Sequence, residues 1–97
     1  MSRYEVRFSA TNPEEVAPDA AERLGEILAT LPGVDGGQGA RLEGPRLVSG
    51  AFVIEVEQAM AEAARDGSRL AKEALSMAGM PDSKLVELVV RLVEDSG

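Results

Sequence analysis

Polar and apolar residues alternate at the start of the chain. Tyr4, Val6, Phe8 and Ala10 are separated by Arg3, Glu5, Arg7 and Ser9, the period of two that a half-buried β-strand requires. Thr11-Asn12-Pro13 ends this strand, and Asn12, Pro13 and Glu15 offer an N-cap, a first helical position and a capping-box partner. Pro18-Asp19 is a second start signal, so the first helix begins at one point or the other. From there Ala17, Ala20, Ala21, Leu24, Ile27, Leu28 and Leu31 recur at helical spacing until Pro32-Gly33 stops them. Asp35-Gly36-Gly37-Gln38-Gly39 reads as a flexible loop. It is rich in glycine, but no Lys follows and a strand comes next, so the context of a phosphate-binding loop is not met.

Ala40-Arg41-Leu42-Glu43 is predicted as a short second strand, ended by Gly44-Pro45. Residues 46–50 either connect it to a third strand or partly extend the pairing, and that strand, Ala51 to Glu57, turns Phe52, Ile54 and Val56 to one face and Val53, Glu55 and Glu57 to the other. The two strands form a hairpin with a loose loop. A second helix is predicted from Gln58 to Ala78, its stripe made of Met60, Ala63, Ala64, Gly67, Ala71, Ala74, Leu75 and Ala78. Gly67 in its interior costs about 1 kcal/mol against Ala, so either it packs tightly on a strand or the helix bends there. Gly79 caps this helix and Pro81 prevents its continuation. The last strand runs from Lys84 to Glu94. Val86, Leu88, Val90 and Leu92 form one face, and Leu85, Glu87, Val89, Arg91 and Val93 the other.

The order βαββαβ is that of the split βαβ, or ferredoxin-like, arrangement. An α+β fold follows, with two helices on one face of a four-stranded antiparallel sheet in the order 4-1-3-2. Its inner face would hold Val6, Phe8, Leu42, Phe52, Ile54, Val56, Val86, Leu88, Val90 and Leu92, with the lone tyrosine, Tyr4, in the core rather than in a reactive role. The open face would present Arg3, Arg7, Arg41 and Arg91 among Glu5, Glu43, Glu55, Glu57 and Glu87. Such a face is either a solvated surface laced with ion pairs or a partner- or ligand-binding surface whose register is set by charge. Strand four would lie at an edge, although it is the longest and most apolar strand. Leu85, Val89 and Val93, together with Val53, then mark a dimer edge or face, since soluble proteins cover such edges.

The 97 residues make one domain, with a net charge of −7 and no run of apolar residues long enough for a membrane span. That balance argues against a nucleic-acid partner, because gripping phosphates takes clustered Lys and Arg. No apolar leader follows Met1, so the cytoplasm is the expected location. Eight Arg against two Lys, with abundant Ala and Gly, suggests a GC-rich bacterial source.

The chain contains no His, Cys or Trp. Imidazole- or thiolate-based metal sites and Ser-His-Asp or Cys-His chemistry are therefore unavailable to it, and neither a metal nor a cofactor is expected. The open face also lacks the stacking aromatics of RNA-recognition domains. Asp19-Ala20-Ala21-Glu22-Arg23-Leu24-Gly25-Glu26-Ile27-Leu28 resembles the first helix of ACT-type ligand-sensing domains, without the Gly those domains place just after the turn residue. The resemblance implies dimerisation through sheets and sensing of a small ligand.

Three functions remain open. The first is a non-catalytic interaction or regulatory module, a homodimer or the partner of another protein. The second is a cofactor-free binder or enzyme that uses Arg7, Arg41, Arg91 or Glu55 in a cavity between dimer sheets. The third is an acidic inhibitor of the immunity type.

Overall fold

The computed structural model describes residues 2–57 and 60–95, with side chains described for all of these except 35–43 and 94–95. It is an α+β fold of β1 (Ser2–Thr11), α1 (Ala20–Thr30), β2 (Val34–Gly44), β3 (Leu47–Val56), α2 (Met60–Met77) and β4 (Lys84–Asp95). The sheet order is β2-β3-β1-β4, with each neighbouring pair antiparallel.

β1 lies between β3 and β4, and its alternation sorts its side chains cleanly. Tyr4, Val6, Phe8 and Ala10 are buried beneath the helices, while Glu5 and Arg7 point to the open face. β3 adds Val48, Phe52, Ile54 and Val56 to the same core. Phe8 and Phe52 meet edge to face, with ring centroids 6.2 Å apart, a geometry the ring quadrupoles favour.

The second of the two candidate helix starts is the one used. Asp19 is the N-cap of α1, and Leu24, Gly25 and Leu28 are buried along its inner stripe. Residues 12–19 are not helical, contrary to the Asn12-Pro13 reading. Backbone bonding explains the difference. The N–H groups of Asn12 and Val16 donate to the carbonyls of Arg46 and Pro45 at 2.9 and 2.7 Å. Val16 is buried as well, so this segment straps the β2–β3 turn instead of entering the helix.

α2 passes close over β1 at Gly67. A Cβ there would lie 2.9 Å from Val6 Cγ2, which settles the alternatives for this glycine in favour of tight packing. At the far end Gly79 adopts φ +90°, and the N–H of Met80 donates to Leu75 at 2.9 Å. This is a Schellman closure, whose left-handed position glycine takes without the penalty a Cβ would carry.

Two strand boundaries differ from the sequence reading. The glycine-rich segment 35–39 is not a loop but part of β2, paired with β3 through three register shifts. Glycine tolerates the irregular backbone such shifts need. β3 begins at Leu47, so of the two alternatives for residues 46–50 the extended pairing is the one used, leaving only Pro45-Arg46 as the turn. The expected inward position of Leu42, and the outward positions of Arg41 and Glu43, concern side chains outside the described residues, as does a helix start at Gln58.

The faces of β4 also need correction. Its ladder with β1 shifts register between Ser9 and Ala10 and again between Arg3 and Tyr4. Beyond the first shift, Leu85 rather than Val86 shares the inner face with Ala10. Leu85 accordingly packs against the core, while Val86 is 58% exposed. A shift by one residue exchanges the two faces of a strand.

Candidate functional site

Between the shifts, from Glu87 to Leu92, β4 follows β1 without interruption, and this stretch organises the open face. Glu5 stands opposite Arg91, Arg7 opposite Val89, and Ser9 opposite Glu87. The Nε of Arg7 donates to Glu5 Oε1 at 2.8 Å, and Arg91 Nη2 approaches the same oxygen at 3.4 Å. The side chain of Glu5 is only 12% exposed, against 63% for Arg7 and 70% for Arg91. The hydrogen bond from Arg7 holds the Glu5 carboxyl below its ordinary value. Desolvation pushes the other way, and the positive charges of Arg7 and Arg91 add to the lowering.

The proposed face residues are therefore only partly gathered. Arg7 and Arg91 converge on Glu5. Arg3 lies opposite Glu55 of β3 in the ladder, and Glu55 is exposed. Glu57 lies just past the end of β3 and is exposed, as is Glu87. Arg41 faces Ser49 in register, its side chain being outside the described set. Val53 is half-buried opposite Glu5. Of the proposed edge residues, Val89 and Val93 are 48% and 51% exposed. Leu85, as shown above, has left the open face for the core.

Val86, expected on the inner face, is exposed, whereas Leu92 keeps that face opposite buried Tyr4 but is 46% exposed at the sheet edge. The signal for Val86 was present as adjacent apolar doublets, Leu85-Val86 and Leu92-Val93. The two register shifts fall at these doublets, but the run Leu88-Val89-Val90 crosses the regular stretch, so a doublet alone did not locate a shift. On the helix side, a cleft of about 550 Å³ runs beside β4, lined by Ser68 and Lys72 of α2 and by residues 83–88. The helix thus leaves the outer margin of β4 unroofed.

Among the described residues no cluster of three or more carboxylates, His or Cys could hold a metal ion, and no helix is long and apolar enough to cross a membrane. What the face offers chemically is a carboxylate flanked by two exposed guanidinium groups beside a row of exposed valines.

No family model matches the chain, and no curated protein matches it. Among solved structures, it is similar to a protein of Chloroflexus aurantiacus J-10-fl provisionally named an antibiotic biosynthesis monooxygenase. The TM-score is 0.50 at 13% identity, over 99% of this chain and 97% of that one. This likeness supports a ferredoxin-like fold and extends no further. Another similar structure is the YXEP protein of Bacillus subtilis, a dinuclear metal binding peptidase from the M20 family. It matches at TM-score 0.48 and 14% identity, over 99% of this chain but 28% of that one.

Proposed function

We propose that the chain is a small protein-interaction module that acts as a homodimer, with β4 and the adjoining open face of its four-stranded sheet as the contact surface. One observation carries this reading. β4 is an edge strand and exposes four large apolar side chains, Val86, Val89, Leu92 and Val93, at 46–58% each. A long apolar edge is a template for pairing and is ordinarily covered. The test is native mass by light scattering over a wide concentration range, for the natural chain and for Val89→Asp. A dimer that Val89→Asp converts to a folded monomer supports the reading. A natural chain that stays monomeric throughout removes self-association and turns the search to a different partner protein.

A second reading is small-molecule binding or catalysis without a cofactor. It is favoured by the exposed guanidinium groups of Arg7 and Arg91, which have donors to spare for a carboxylate ligand. The neighbour from Chloroflexus aurantiacus is named for a monooxygenase, an activity that a shared fold alone does not transfer. Calorimetric titration with small carboxylates decides it. A saturable signal lost in Arg7→Gln supports this reading, and silence across the series removes it.

A further inference from the structure

The charges along β4 specify how a second copy would sit on it. Resting on the homodimer reading above, we propose that two copies join antiparallel, β4 against β4, about a two-fold axis through Val89, forming one continuous sheet.

Two-fold symmetry limits the choices. In an antiparallel ladder, opposed residues point to the same face, so an axis normal to the sheet must pass through a residue that faces its own copy. An axis through Val89 sets Glu87 against Arg91 of the other copy, and symmetry makes this pair twice. It also leaves Leu88 opposite Val90, both on the helix side of the strand and both within the regular stretch. Neighbouring registers lack this match. With the axis at Leu88, Glu87 meets Val89 and Arg91 meets Leu85. With the axis at Val90, Glu87 meets Val93 and Arg91 meets Val89. Axes at Glu87 or Arg91 oppose a charge to itself, which is destabilising.

Exposure and backbone regularity agree with the same choice. Val89 is 48% exposed, and an axis through it covers this side chain with its own copy. The opposed residues 87–91 all lie within the uninterrupted part of β4, between its two register shifts. α2 does not block the approach, since the cleft lined by Ser68, Lys72 and Leu85 opens along this edge.

Charge exchange between copies tests the register. Glu87→Arg alone, or Arg91→Glu alone, sets two like-charged pairs across the joint, and each variant is expected to dissociate with Kd raised about ten- to a hundredfold. Mixed together, the two variants are complementary at both pairs and should form a heterodimer. Mass measurement on the mixture reads this directly, with circular dichroism checking that each variant is folded. Arg91→Glu also puts a second carboxylate beside Glu5 of its own chain. Should it fail to fold, Val89→Cys tests the same axis: a residue on the axis faces its own copy and should cross-link the two chains on mild oxidation, and failure to cross-link overturns the register.

If the single variants remain dimeric while Val89→Asp dissociates, copies associate by another register or by stacking their open faces, and this proposal fails while self-association stands. Folded monomeric variants that ignore each other on mixing also overturn the register. A natural chain that is monomeric at every concentration overturns both readings.

Discussion

Gly67 of α2 lies so close over Val6 of β1 that a Cβ on the glycine would sit 2.9 Å from one methyl carbon of Val6 and 3.0 Å from the other. The helix is therefore held to the central part of the sheet by the absence of a side chain. Helix propensity alone would favour Gly67→Ala by about 1 kcal/mol, but overpacking a filled core costs about 1–3 kcal/mol. The urea midpoint of Gly67→Ala should fall. In a Val6→Ala background the same substitution should become neutral or stabilising, and a double-mutant cycle reads that coupling.

Gly50 of β3 has the same relation to the ring of Phe8, its partner in the ladder. A Cβ on Gly50 would lie 2.9 Å from two ring carbons and 3.1 Å from Leu28 Cδ1. Here the neighbours come from two elements at once. Gly50→Ala should destabilise by about 1–3 kcal/mol and alter the near-ultraviolet circular dichroism, which reports the packing of Phe8 and Phe52.

Leu85 and Val89 should respond oppositely to the same change. Leu85→Asp removes a partly buried apolar side chain that packs against the core and should lower stability by about 1–3 kcal/mol. Val89→Asp, exposed and opposite Arg7, should stay within about 0.5 kcal/mol when compared as monomers. Chemical denaturation of the two variants checks the register shift in β4 directly.

Glu5 should make the fold sensitive to acid. Its carboxyl is lowered below 4.5 in the folded chain, so the folded state binds fewer protons than the unfolded state around that value. The contribution is complete above the unfolded pKa and is lost as pH falls through the depressed folded one. Glu5→Gln should be less stable at neutral pH. Its urea midpoint should also lose less between neutral pH and the acid limb than that of the natural chain.

Gly79→Ala should cost about 1 kcal/mol, because φ +90° leaves no comfortable place for a Cβ even though the space around it is open. Thermal melting at fixed concentration measures it.

The sequence made some elements legible because local pattern and tertiary demand coincide there. β1 alternates without a break, and Tyr4, Val6, Phe8 and Ala10 are buried as that period requires. The stripe of α2 and its Gly79 stop are equally plain. Legibility fails where distant partners decide. Asn12-Pro13 is a sound helix start taken alone, but the Arg46 and Pro45 carbonyls claim the N–H groups of Asn12 and Val16. The glycines of residues 36–39 speak locally for a loop, and only the neighbouring β3 draws that backbone into a ladder. In β4 the doublet Leu85-Val86 marked a break in alternation, but not on which side of it each residue would fall. For the open face, residue identities indicated the mixture of charges, while the convergence of Arg7 and Arg91 on Glu5 depended on the β1–β4 register.

β2 lies at the opposite margin of the sheet from β4, and its ladder with β3 is broken three times. A backbone so interrupted is a poor template for a further strand, whereas flat, regular ladders stack indefinitely into fibrils. Joining two copies through β4 would leave only these broken margins outermost. On that arrangement growth would end at two, since the shifted ladder of β2 would offer no regular edge to extend.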